Sequence, residues 1–398
     1  DVTLGAQSVT VTGAAYDLAR ATLASTTLAL GNVRTGTQTG VAVTNTVTTS
    51  ASFQDSLDVV AATANGNLLL TNPANILAGQ TRSVGVKANL AGSLDATVAL
   101  GLTSNTNNVA GLTNDALAGQ SIAVTGAAYD YAVAAVAPTL AFGNVRVAAG
   151  TTARTLAVTN TLVAADAAFQ DSLTVTATAG THAALAPADI LAGAAGNVTV
   201  TASTAVAGSL ADSLALGFTS NANGLAGLTN LGLADQSVAV TGGVYDLANP
   251  AYSTATLAFG NVRVGATLAA QNVAVTNEVI TAAAYQDALT VAGSAANAKL
   301  TVSGFTGLAA GATAGQLTVG AATAFGGSLA GDVAVDLTSV AAAAGLTDVQ
   351  STGATIAVTG AVYDYAQPSF TNATFILGNV RIGAALSRDL PEIGRAHV

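Results

Sequence analysis

Apolar residues along this chain alternate with small or polar ones at a period of two. In Ser8-Val9-Thr10-Val11-Thr12 the alternation is strict. Three later segments align with it and put Ile122/Val124, Val238/Val240 and Ile356/Val358 at the apolar positions. A second set aligns without gaps: Val98, Leu100 and Leu102 match Leu214, Leu216 and Phe218, then Val333, Val335 and Leu337. The residues between are mostly Ala, Gly, Ser and Asp. Such alternation with β-branched residues marks strands with one buried face, and burial of a single face is typical of antiparallel sheets. No stretch of about 10–12 residues carries a sustained helical stripe with caps. In the third copy of the pattern, about seven strands are predicted. They lie near Thr256–Val264, Gln271–Asn277, Ala288–Ala292, Lys299–Ser303, Gly315–Ala321, Asp332–Ser339 and Thr355–Tyr363.

The strands belong to tandem repeats. Leu30-Gly31-Asn32-Val33-Arg34 returns as Phe142-Gly143-Asn144-Val145-Arg146, as Phe259-Gly260-Asn261-Val262-Arg263 and as Leu377-Gly378-Asn379-Val380-Arg381. Val43-Thr44-Asn45 returns at Asn160 and Asn277, and Phe53-Gln54-Asp55 returns at Phe169-Gln170-Asp171 and Tyr285-Gln286-Asp287. Each unit closes on Val-Thr-Gly-x-x-Tyr-Asp, reaching Tyr16, Tyr129, Tyr245 and Tyr363. A period of roughly 115 residues is the size of a whole small domain, far beyond ankyrin or propeller repeats. Seven short strands in that length predict an all-β fold: tandem immunoglobulin-like antiparallel β-sandwich repeats. The boundaries read as follows: 1–20, the last strand of a truncated repeat; 21–133, 134–248 and 249–366, three full repeats; 367–391, the first strand of another truncated repeat. Residues 392–398 continue no repeat and resemble the translation of a sequencing-adapter oligonucleotide.

Composition narrows the function. Charged residues are 8% of the chain against a usual ~25%, and the net charge is −10. No basic groove for nucleic acid can be built, because phosphate neutralisation needs many Lys or Arg. Cysteine is absent, which removes disulfides, thiolate metal sites and thiol nucleophiles. No apolar run reaches the ~18 residues of a membrane-spanning helix. The short connectors between repeats, such as Tyr131 to Leu140, carry no flexible Gly/Ser tract and are expected to be stiff.

At these motifs the chain resembles the choice-of-anchor D family: a Leu/Phe-Gly-Asn-Val-x-Val-Gly strand, Val-Thr-Asn-Thr, a Leu-x-Ala-Gly turn at Leu77-Ala78-Gly79 and Leu191-Ala192-Gly193, and a closing Val-x-Gly. The resemblance implies a bacterial exported protein with tandem immunoglobulin-like domains of the ASH type, placed outside the cell or on its surface. It supplies no catalytic residue, cofactor or metal.

Candidate chemistry is thin. The repeated Arg34, Arg146, Arg263 and Arg381 could contact a carboxylate or a sugar; they read more simply as structural arginines that pair with an Asp and cap carbonyls. Gly31, Asn32, Gly143, Asn144, Gly260, Asn261, Gly378 and Asn379 belong to the same structural string. The Gln-Asp pairs lack the density of oxygen ligands that calcium needs. The Asn-rich loops Thr103–Asn114 and Thr219–Asn230 could hydrogen-bond glycans or simply be solvated. His182 stands without a triad partner in sequence. Gly327-Ser328-Leu329 fails the nucleophile-elbow spacing at Ala330. The chain therefore reads as a non-catalytic spacer or adhesive stalk without cofactor; the alternative is a module whose loops bind an extracellular glycan or protein.

One expectation concerns the joints. Aromatics are 4% of the chain, yet two recur at each repeat boundary: Tyr16 with Phe53, Tyr129 with Phe169, Tyr245 with Tyr285. They should meet where one repeat hands over to the next, unless each merely plugs its own domain.

Overall fold

The computed structural model describes residues 4–368, 374 and 376–387. The region read as 367–391 is described only in part, and the tail 392–398 lies outside. The chain separates into two compact units. One comprises Asp1–Leu140, Arg154–Val200 and Ser213–Ala239; the other comprises Ala141–Ala153, Thr201–Asp212 and Val240–Val398. The first holds one complete sandwich and most of the second repeat. The second holds the complete sandwich of the third repeat.

In the first sandwich the strands are β1 Ala21–Leu23, β2 Thr27–Arg34, β3 Gln38–Asn45, β4 Ser56–Ala62, β5 Leu68–Thr71, β6 Thr81–Ala88, β7 Gly92–Ser93, β8 Ala96–Asn105 and β9 Asp115–Tyr129. One sheet runs β1-β3-β6-β5; the other runs β2-β9-β8-β4, with β7 on β9. Alternation decides which face is buried. On β8, Val98, Leu100 and Leu102 point inward, and on β9 so do Ile122 and Val124. They pack against Val43, Leu57, Val84 and Val86 of the other strands. Each fully buried side chain of this kind is worth about 1.5–3 kcal/mol. No tryptophan or disulfide is needed, because branched aliphatics fill the gap between the sheets.

In the third repeat the seven expected strands form at Thr256–Arg263, Gln271–Asn277, Ala288–Ala295, Leu300–Ser303, Gly315–Ala321, Gly331–Val340 and Thr355–Tyr363. Four short ones carry too little alternation to be legible in sequence: Pro250–Tyr252, Phe305–Leu308, Gly327–Ser328 and Val349–Ser351. Short 3-10 turns at Ala51–Phe53, Ala167–Phe169 and Ala283–Tyr285 precede each Gln-Asp pair.

Two differences from the sequence reading matter. First, not every pair is antiparallel. The Gly-Asn-Val-Arg strand β2 runs parallel to β9, and Thr256–Arg263 runs parallel to Thr355–Tyr363. The repeat's first and last long strands thus lie side by side and leave in the same direction, so both deliver their ends to the same pole. The register slips between Ala29 and Gly31, and again between Ala258 and Gly260. At the slip Gly126 has φ +146°, and a Cβ there would sit 2.5 Å from the Gly31 carbonyl oxygen. The glycine of Val-Thr-Gly is therefore where two backbones touch, as a strand glycine of this type suggests.

Second, residues 8–12 form no strand. Val9 and Val11 are exposed, and no described segment pairs with them. A strand needs a neighbour for its backbone donors and acceptors.

Candidate functional site

The repeated polar residues converge on the joint between consecutive repeats. At its base is the asparagine of Val-Thr-Asn, fully buried in each repeat. Asn45 Nδ2 donates to the carbonyls of Asp55 and Ile76 at 2.8 and 3.0 Å. Its Oδ1 accepts from the Arg20 amide and from Gln54 Nε2, both at 3.0 Å. Both donor hydrogens and both acceptor positions are used. Asn160 repeats this with Asp171, Ile190, Val133 and Gln170. Asn277 repeats it with Asp287, Leu308, Asn249 and Gln286. Each asparagine fastens the incoming connector to the loop that carries Gln-Asp. Sequence reasoning passed over it; the signal was its recurrence at the end of a period-two strand, where a buried residue should be apolar.

Backbone lacing adds to this. Asp17 pairs with Gln54, Asp130 with Gln170 and Asp246 with Gln286 as isolated parallel bridges. In each, the Asp amide donates to the carbonyl of the aromatic before Gln, at 2.8–3.0 Å. This register brings the aromatics together. Ring centroids are 5.6 Å apart for Tyr16–Phe53, 5.6 Å for Tyr129–Phe169 and 5.4 Å for Tyr245–Tyr285. All three lie within the distance at which rings attract beyond mere burial.

In the second and third repeats the Asp of Gln-Asp takes the arginine of the repeat before it. Arg34 Nη1 donates to Asp171 Oδ1 at 2.9 Å, and Nη2 stands 2.9 Å from Oδ2. The two residues are 137 positions apart. Arg146 meets Asp287 at 2.8 Å. Both carboxylates are almost wholly buried, with 1% and 0% of their side chains exposed. Each also accepts a serine hydroxyl: Ser220 to Asp171 and Ser339 to Asp287, both at 2.7 Å. Those serines accept the connector amides of Ala132 and Ala248 at 2.9 Å. Arg34 further lies 4.2 Å over the Tyr131 ring, a cation–π contact.

The rest of the string engages the Asn-rich loop. Asn32 Nδ2 donates to the Ala226 carbonyl at 3.1 Å, and Arg34 Nη2 to the Thr229 carbonyl at 3.2 Å. Asn144 and Arg146 do the same to Ala344 and Thr347, at 3.0 and 2.9 Å. Gly31 and Gly143 hold φ +64° and +76°, a turn of the backbone that favours glycine, just before each of these asparagines. The loop asparagines are occupied with their own fold. Asn105 Nδ2 donates to Asp58 and its Oδ1 accepts the Asn107 amide; Asn230 Oδ1 accepts the Ala222 amide.

No protein-family model and no curated protein sequence matches this chain. Solved structures resemble it in outline. Mouse cadherin-23 EC22-24 matches 87% of this chain and 100% of that one, at 13% identity and a TM-score of 0.41. The protocadherin gamma B2 extracellular cadherin domains 1-5 match over 88% and 61%, at 10% identity and 0.40. The D0-D1 domain of intimin matches over 56% and 98%, at 16% identity and 0.18. At these scores the likeness extends to tandem β-rich domains and no further.

The other copies complete the picture. Arg263 Nη1 donates to the Asp364 carbonyl at 2.9 Å and lies 5.8 Å from the Tyr365 ring. Asn261, Arg263, Gly378, Asn379 and Arg381 are exposed. His182 sits in the turn between Ser172–Ala179 and Ala183–Leu185. Among the described residues no group of three or more His, Asp or Glu gathers to hold a metal, and no helix is long and apolar enough to cross a membrane.

Proposed function

We propose that this chain is a section of an exported bacterial repeat protein of the choice-of-anchor D type, serving as a non-catalytic spacer or adhesive stalk outside the cell. Its repeats span 21–133, 134–248 and 249–366, with parts of further repeats at 1–20 and 367–391. One observation carries the reading: the polar side chains that recur in the repeats are spent on joining one repeat to the next. Arg34, Asn32, Asp171 and Ser220 face one another rather than a cleft. A catalytic or sugar-binding set would instead leave donors and acceptors aimed at a ligand. The structural arginine and the joint aromatics then have one purpose, which is to hold adjacent sandwiches in a defined relation.

Probing a glycan array and an extracellular-matrix protein array with the intact chain tests this. Uniform blanks are expected. Saturable binding that disappears when Thr103–Asn114 or Thr219–Asn230 is replaced by a short turn would establish the loop-binding function instead.

A further inference from the structure

The route a load takes through a repeat is set by where the chain enters and leaves it. In the first sandwich the Arg20 amide meets Asn45, the last residue of β3. At the other end of β3 the turn after β2 is fastened to the exit, where the Thr35 amide donates to the Tyr129 carbonyl at 3.2 Å. Entry and exit therefore lie at opposite poles, with the length of β3 between them. β2 starts at the entry pole and β9 ends at the exit pole. They run parallel, from Thr27 beside Ala123 to Arg34 beside Tyr129. Drawing the two ends of the repeat apart slides one strand along the other, so the hydrogen bonds between them are strained together. Antiparallel first and last strands would peel apart one bond at a time. The third sandwich is laid out alike. The Asn249 amide meets Asn277 at the entry, the Val264 amide meets the Tyr363 carbonyl at the exit, and Thr256–Arg263 runs parallel to Thr355–Tyr363.

The far end of β2 is held a second time, by the next repeat. Arg34 lies 2.9 Å from each carboxylate oxygen of Asp171, and Asn32 donates to the Ala226 carbonyl. Sliding β2 toward the entry pole has to draw this guanidinium off a carboxylate with 1% of its side chain exposed. That step leaves a buried charge without its partner. Arg146 and Asn144 grip Asp287 and the Ala344 carbonyl in the same way.

We infer that the parallel β2–β9 pair is a shear clamp with which the chain carries tension, and that Arg34 locks this clamp to the repeat that follows. The resistance of one repeat to force then depends on its successor being docked. The strength of the clamp belongs to the fold; only the claim that tension reaches it rests on the stalk reading.

Single-molecule force spectroscopy of the full chain tests it. The chain has no cysteine, so an introduced pair fixes the axis of pull. Ser25→Cys with Ala135→Cys, both at exposed positions, loads the start of β2 against the exit of β9, along the strands. Ser25→Cys with Ser121→Cys, also exposed, pulls adjoining ends of β2 and β9 apart. At one constant force the first repeat should last at least about tenfold longer on the sliding axis, the factor that about one or two net hydrogen bonds supply when they must break together. Arg34→Ala should shorten the sliding-axis lifetime at least about tenfold, because lifetime under load follows the unfolding rate and a buried charge is stranded. It should leave the peeling axis unchanged. Asp171→Asn cuts the same contact from the other side and should act in the same way. Equal lifetimes on the two axes overturn the clamp. An Arg34→Ala effect that is the same on both axes, or absent from both, overturns the lock. Neither result alters the outcome of the binding arrays, which test the stalk reading separately.

Discussion

At the scale of single residues, a few polar side chains decide how much each joint is worth. Arg34 neutralises a carboxylate that has only 1% of its side chain exposed. Removing one member of such a pair strands a buried charge, at a cost of about 3–5 kcal/mol. Arg34→Ala is therefore expected to destabilise the joint by roughly that amount, read as faster amide exchange at Asp130 and Asp171. Arg263→Ala, at an exposed position, should change stability by less than about 0.5 kcal/mol. The aliphatic core of the first sandwich does not include Arg34, so the first variant should loosen the joint and not unfold the chain.

A neighbouring pair shows a single missing hydroxyl. Thr35 Oγ1 donates to Asp130 Oδ1 at 2.5 Å. In the next joint the position of Thr35 is taken by Val147, whose amide donates to the Tyr245 carbonyl just as the Thr35 amide donates to that of Tyr129. Asp246 Oδ2 is buried there without a partner. Val147→Thr restores the donor and should stabilise the second joint by about 1 kcal/mol, measured by urea denaturation. No gain would mean that Asp246 is satisfied some other way.

At the scale of elements, the parallel pair of first and last strands is what aims the Gly-Asn-Val-Arg string. The string can reach the next repeat because β2 and β9 leave together at one pole. Their slip needs two glycines in contact. Gly126→Ala would force a side chain into φ +146° with its Cβ 2.5 Å from a carbonyl oxygen. The backbone strain alone costs about 1–3 kcal/mol, and the contact adds to it. Gly13 is the same letter of the same motif, but nothing lies within 4 Å of its would-be Cβ. Gly13→Ala should be neutral in a thermal melt that registers a clear loss for Gly126→Ala. Equal effects would refute the paired-glycine account.

At the scale of the whole molecule, protein groups take most of the side-chain oxygens described at the joints. Gln54 Oε1 accepts the Thr48 amide, Gln170 Oε1 that of Val163 and Gln286 Oε1 that of Ile280. The neighbouring Asp171 and Asp287 are taken by arginine and serine. Few oxygens remain to converge on a cation that wants 6–8 of them. A calcium chelator should leave the melting curve where it was. A fall of about 5 °C or more, equivalent to ~1 kcal/mol in a domain of this size, would require a cation site at the joints.

Much of this was legible in the sequence, because it is local or periodic. Alternation at Val98, Leu100 and Leu102 names the buried face whatever the strand pairs with, since side chains of a strand must point to opposite sides in turn. The recurrence of Gly-Asn-Val-Arg marks tandem domains, and Val-Thr-Gly marks a close backbone approach, because only glycine tolerates it. Pairing partners are another matter. Nothing near Arg34 in the chain points to Asp171, which comes within 2.9 Å only once two sandwiches have closed and the connector has been laced on. The parallel run of β2 beside β9 depends on a whole domain folding between them. Asn45 looked like a strand-end polar residue until its four hydrogen bonds could be counted. Asp171 and Asp287 follow the same aromatic-Gln in sequence; only the tertiary structure shows that each holds the arginine of the repeat before it, because a carboxylate's partner is fixed by what reaches it in space.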